Sequence, residues 1–393
     1  MTTANASALS QLPDLLSWDS GLGLVRTSCS IYLDWMCSSL CGLRSIDPDL
    51  WAGVKALPKA SQLRILLSPE VCLMLRRSAR PDDEELERLR SFLEMELYLC
   101  DPSRPAARGC WTALGDFYSG GGRAGPGGSW ASEYDDDRPF AAPRLGNVVI
   151  DTNSPHVDGA LPPDLGETVR HPASDHALIK QRLEEGMGRL RQVSPTAAAA
   201  VREAVQVVAV AKTPEHPDRT SSSSWRYKPG MVGLANLQCD RWSAARVCDS
   251  LLHEAIHSTI YKIELRERLF NYGEAMTAER AMSPWSGRDL AVSSFTHACF
   301  VWYGLWSFWA QDSSEDEEVQ QLRERAYRGF RRGPLLSYLT DAGFESITEA
   351  GRRAILDIQQ RVLERSSAFE PSATKPAGRS TRCSSNCAMP SDN

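Results

Sequence analysis

No two cysteines in the chain stand at Cys-x-x-Cys spacing, although there are eleven of them, an odd number scattered along 393 residues. Neither a four-thiolate zinc site nor a disulfide framework can be read from them, and a reducing cytoplasm is the expected setting. Positive charge is not in excess either: 44 Lys and Arg stand against 50 Asp and Glu, a formal net charge of -6. Without an overall basic field to grip phosphate backbones, nucleic acid is not an expected partner. The opening residues, MTTANASALSQLPDLL, lack a basic start and an apolar run of signal-peptide length, so secretion is not expected. No internal repeat is visible. What is present is ordinary globular composition, 42% hydrophobic and 24% charged, in a chain long enough to bury a core without metal or disulfide staples. A metal bound here would serve chemistry, not folding.

Punctuation by Pro, Gly and Ser divides the chain. Residues 1–100 read as an N-terminal helical region in which Pro81 to Leu99 forms a helix with acids in its first turn. Residues 101–145 turn Gly-rich, with SGGGRAGPGGSW and the acidic run Asp135 to Asp137, and read as a loop or lid. Residues 146–366 open on GNVVID, a short strand signal. Ser194 and Pro195 then start a helix through an alanine run, and TSSSSW and GMVGLANL form a hairpin. Helices are predicted from about Ser243 to Arg268, Asp289 to Ala310 and Glu315 to Arg332. A last one starts at Ser346, which has capping-box spacing to Glu349. Residues 367–393, with Cys383 and Cys387 in a Ser-rich context, read as a disordered tail. The expected class is therefore α+β, mostly helical, with a small sheet ahead of the helix that carries the motif described next.

That motif is LLHEAIHSTIY, in which His253, Glu254 and His257 spell HExxH. Residues four apart share a helix face, so both imidazoles can converge on one metal ion while Glu254 lies beside it. By chance the pattern would occur in such a chain in roughly one case in a hundred, so it carries weight. The extended metzincin pattern is excluded, because Ile260 and Ile263 stand where it needs Gly and His. Glu274 and Glu279 lie at plausible distances for a third ligand but nothing singles them out. His297 differs. It sits in LAVSSFTHACFVWYGLWSFWAQ, a stretch with no charged side chain between Asp289 and Asp312, and an imidazole buried there needs a partner that a metal could supply. The same stretch is long enough for a membrane span. Its polar interruptions and the acidic SSEDEE that follows favour a buried core helix instead. His156 and Asp158 form an HxD pair, but the alternating strands of a jelly-roll oxygenase are missing around it.

Taken in order, SSSSWRYKPGMVGLAN, LLHEAIHSTIY and SPWSGRDLAVSSFTHACFVWYGLWSFW resemble the HExxH-motif peptide-modification proteins of ribosomal natural-product clusters. Characterised members of that family are iron(II)- and 2-oxoglutarate-dependent peptide β-hydroxylases. The resemblance spans about residues 220 to 310. It implies a precursor peptide as substrate and His253, His257 and His297 as metal ligands, with Arg288 at the position of an Arg that usually precedes Pro-Leu; here Asp289 replaces the Pro. Three protein ligands would leave positions on an octahedral iron for a keto acid and dioxygen. Arg288, nine residues before His297, would clamp the distal carboxylate of 2-oxoglutarate, and Glu254 would orient a bound water or a ligand imidazole.

Two other readings keep the same residues. With zinc in place of iron, Glu254 would deprotonate a metal-bound water and the chain would be a metallopeptidase. Alternatively, the chain is a peptide-binding partner whose metal site is inactive.

Overall fold

A computed structural model describes residues 7–19, 21–77, 81–104, 110–120, 140–271 and 278–366. Most of the 101–145 loop, Glu274 and the whole 367–393 tail lie outside the described residues. The architecture is α+β and mostly helical, with thirteen α-helices among the described residues. Six of them come first: α1 (Ala8–Leu16), α2 (Gly23–Gly42), α3 (Pro48–Ala56), α4 (Lys59–Leu66), α5 (Pro69–Arg77) and α6 (Asp83–Cys100). Asp82 and Glu85 close the first turn of α6 as a capping box, each side chain bonded to the other's backbone N–H, so three acids at its start meet the positive end of the helix dipole.

Short strands follow: β1 (Phe117–Tyr118), β2 (Phe140–Ala141), β3 (Arg144–Leu145) and β4 (Val148–Asp151). Then come α7 (Ala173–Val193), α8 (Pro195–Ala204), β5 (Val207–Ala211), β6 (Ser221–Ser224) and β7 (Met231–Ala235). Strands β3 to β7 build one sheet in the order β3-β4-β5-β7-β6, parallel from β4 through β5 to β7 and antiparallel at both edges. Every residue of β4, β5 and β7 is buried, as expected for parallel strands covered on both faces. The hairpin β6–β7 turns on Gly230, whose φ of 95° few other residues tolerate. Gly233 has no room for a Cβ, which would stand 1.9 Å from the carbonyl oxygen of Ala160.

The second half is helical. Ser243 caps α9 (Ala244–Ile263) by accepting the Arg246 N–H. After the hairpin β8 (Arg280–Met282) and β9 (Asp289–Ala291) come α10 (Val292–Trp309), α11 (Glu317–Arg331), α12 (Asp341–Ser346) and α13 (Glu349–Ser366). The last helix does not begin at Ser346: that residue ends α12, and the Thr348 hydroxyl takes the Gly351 N–H at the start of α13. The sheet is also larger than the predicted hairpin, since β5 at its centre adds a strand.

One large core joins α1, the start of α2, the sheet, α7 through α11, and α13. A second, from Tyr32 to Ala113, lies among the later N-terminal helices. The region 1–100 is thus split: Leu9, Leu12, Leu16 and Trp18 belong to the main core, and the Trp18 Nε1–H donates to the Gly304 carbonyl of α10 at 2.8 Å. Helix α10 is buried over nearly its whole length. No helix among the described residues is long and apolar enough to cross a membrane.

Candidate metal centre

Helix α9 packs on α7, α2, α8 and α10, and burial of Val247, Leu251, Leu252, Ile256 and Ile260 fixes its rotation. The remaining face carries the motif. Ligand atoms of His253, Glu254 and His257 lie within 4.8 Å of one another, and the two imidazole centroids are 5.1 Å apart. From α10, His297 reaches the same group through His257: the two Nδ1 atoms are 3.4 Å apart and the rings stack at 5.6 Å. The three imidazoles thus form a chain with His257 in the middle. Tyr261, one turn beyond His257, stacks on His257 at 5.7 Å and packs tilted against His297 at 5.1 Å.

Burial pushes the pKa of His253 down to about 3, with the charge of Arg325 acting in the same direction. Burial, and then the neighbouring histidines, hold His257 well below the ordinary imidazole value. Both are neutral at neutral pH, the state in which an imidazole offers a lone pair to a metal. The Nε2 of His297 faces the Glu264 carboxylate at 3.5 Å. Burial pushes Glu264 up, but the charge and hydrogen bond of His297, with Arg226 and Arg76 behind them, outweigh it and hold the carboxyl below its usual range. A carboxylate on one ring nitrogen, leaving the other nitrogen for a metal, is how ligand histidines are commonly oriented. His253, Glu254 and His257 are the group whose ligand atoms could share one metal ion, and His297 adjoins it only through His257. Imidazole and carboxylate donors of this kind suit iron(II) or zinc.

Glu254 is held from the sheet. It is buried, and its two oxygens accept the hydroxyls of Ser222 at 2.7 Å and Ser224 at 2.6 Å. Strand periodicity explains the pair, since residues two apart on β6 point to one side. The loop before β6 is fixed by Asn236, which adopts a left-handed φ of 53°; its side chain accepts from the Thr213 N–H and donates to the His216 and Arg219 carbonyls.

His253 and Glu254 open onto a cavity of about 1310 Å3. Arg288 also lines it, on an exposed turn between β8 and β9 and not on α10 itself. Trp302 of α10 stands edge-on to His253 at 6.0 Å and carries the Arg325 guanidinium over its ring at 4.9 Å. Of the other candidate ligands, Glu279 accepts from the Thr340 hydroxyl at 2.6 Å and Glu274 is outside the described residues. His156 is a structural histidine: its Nε2 lies 3.1 Å from the Thr112 carbonyl oxygen and its Nδ1 3.3 Å from Arg88.

The sequence reading missed Ser222, Ser224, Glu264 and Arg325. Glu264 had a signal, because His253, His257, Tyr261 and Glu264 follow one another at intervals of four, four and three, the period of a single helix face. The serines and Arg325 reach the site only through tertiary packing. No protein-family model matches the chain, and no curated protein matches it.

Proposed function

We propose that this protein is an iron(II)- and 2-oxoglutarate-dependent oxygenase that β-hydroxylates a ribosomally made precursor peptide in the cytoplasm. The observation that carries the proposal is the chain His253–His257–His297 beside Glu254, with His253 and Glu254 at the wall of a cavity of about 1310 Å3. The likeness of residues 220 to 310 to the HExxH peptide-modification proteins supports it. His253, His257 and His297 would hold the metal. With iron(II) and 2-oxoglutarate bound, the chemistry supplied is oxidative decarboxylation of the keto acid to succinate, coupled to insertion of one oxygen atom into a peptide C–H bond.

The chain's own groups prepare that site. Glu264 holds the His297 ring, so that its Nδ1 faces His257. Ser222 and Ser224 occupy both oxygens of Glu254, which makes this carboxylate a fixed, negatively charged support for the adjoining imidazoles. A peptidase needs the same carboxylate to take a proton from water, and two serine hydroxyls compete for that role. Trp302, stacked on Trp285, supplies an aromatic wall beside His253.

The test needs no known peptide at first. Protein loaded with iron(II) under nitrogen and then exposed to air should convert 2-oxoglutarate to succinate and carbon dioxide, and H297A should lose both metal and turnover. With candidate precursor peptides the product should be heavier by one oxygen only after air is admitted. Zinc-dependent shortening of the peptide would instead identify a peptidase. No metal-dependent change to keto acid or peptide would identify a binding protein.

A further inference from the structure

Helix α11 presents Gln321, Arg325 and Arg328 to the cavity, at intervals of four and three that place them on one side of the helix. Arg325 is half-buried with its guanidinium over the Trp302 ring at 4.9 Å, and among the described residues it makes no ion pair and no hydrogen bond. Two other arginines of the same cavity are engaged, Arg246 with Glu318 at 2.7 Å and Arg219 with Asp164 at 2.6 Å. Arg241 and Arg328 also line it and make no ion pair among the described residues, but it is Arg325 that lies over Trp302 beside His253. Trp302 is itself stacked on Trp285 at 6.1 Å, and Trp285 is anchored by its Nε1–H to the Ala326 carbonyl of α11 at 2.9 Å. The guanidinium is therefore fixed by an aromatic platform that touches His253 by its edge. A planar cation held this way has its donor edge ready for a carboxylate.

We infer that Arg325, not Arg288, receives the carboxylate of a 2-oxo diacid that lies far from the metal, and so sets the preference for diacid over monoacid. The inference rests on the keto-acid reading of the site. Asp218, Asp249, Glu317, Glu318 and Glu324 line the same cavity and repel any anion, so the diacid preference rests on the Arg325 contact alone.

Calorimetric titration of iron(II)-loaded protein under nitrogen, with 2-oxoglutarate and with 2-oxobutanoate, tests it. The parent protein should prefer the diacid. R325Q should bind 2-oxoglutarate at least about tenfold more weakly, as expected for a lost charged hydrogen-bond pair. Its affinity for 2-oxobutanoate and its iron content should be unchanged. R325K, which keeps a cation but loses the fork, should fall between, and R288Q should retain the preference. Undiminished 2-oxoglutarate binding by R325Q would overturn the inference while the keto-acid reading stands. So would equal loss of both acids, or loss of the preference in R288Q. If the iron-loaded parent binds neither acid, the keto-acid reading fails and takes the inference with it.

Discussion

Removing the Ser224 hydroxyl is a direct probe of how Glu254 is held. The carboxylate is 2% exposed and its oxygens sit 2.7 and 2.6 Å from two serine hydroxyls, distances typical of charge-assisted O–H···O bonds. Each such bond contributes about 1.5–3 kcal/mol net, and a buried charge that loses a donor bears the desolvation cost as well. S224A should therefore destabilise the metal-free protein by about 2 kcal/mol. For a chain of this length, an unfolding entropy of about 2.1 cal/mol/K per residue converts that into a drop in Tm of roughly 2–3 °C. In the E254Q background the same substitution should cost less than about 1 kcal/mol, because a neutral amide demands less of its donors. The coupling between the two sites should then be about 1–2 kcal/mol, measured by thermal melting of the four proteins. Cobalt(II) affinity should fall with S224A by about tenfold or more, since Glu254 supports the imidazoles beside it. A zero coupling energy, with S224A melting like the parent, would refute the idea that β6 holds Glu254.

Asp116 gives a pH signature through groups other than the metal-centre residues. Burial pushes its carboxyl up, but the paired hydrogen bonds and charge of Arg64, then Thr112 and Arg144, outweigh it and hold the pKa at about 2 against an ordinary 3.8. Because the folded value is the lower one, this stabilisation is complete above pH 3.8 and disappears as pH falls through about 2. It amounts to about 2 kcal/mol. D116N should lose that amount at neutral pH and show a flatter decline between pH 4 and 2; a decline as steep as the parent's would assign the acid limb to other groups. G329A should also be destabilising, by about 1–3 kcal/mol from overpacking, because a Cβ there would lie 2.2 Å from Trp285. Near-ultraviolet circular dichroism should register the displaced indole, and an unaltered spectrum and Tm would show that the site can relax.

Much of this arrangement was legible in the chain because local chemistry and tertiary role coincide. Ser194 and Pro195 start α8 as read, with the Ser194 hydroxyl on the Ala197 N–H, and the serine-rich and Gly-Met-Val-Gly-Leu segments pair as the expected hairpin. Helix α10 is the buried core helix that its uncharged run suggested. Strand β5 escaped because VVAVA directly follows an alanine-rich helix, and a short continuous apolar run has no period to separate strand from helix. At the site, His253, Glu254 and His257 come from one helical turn and His297 from one conspicuous imidazole in an apolar stretch. Ser222 and Ser224 sit in a four-serine run in which nothing local distinguishes one hydroxyl from another. Arg325 reads as a solvated helix residue until Trp302, 23 positions earlier, is seen beneath it.

The enclosure of α10 by α1, α9, α11 and α13 has a consequence for biogenesis. As the ribosome delivers the chain in order, this aromatic-rich rod emerges before two of its four covers have been synthesised. The side chains on the faces that α11 and α13 cover then face water until translation has passed residue 366. Expression in cells should accordingly depend on chaperones that shield nascent apolar surface, and ribosomal stalling between α10 and α13 should drive the partial product into aggregates.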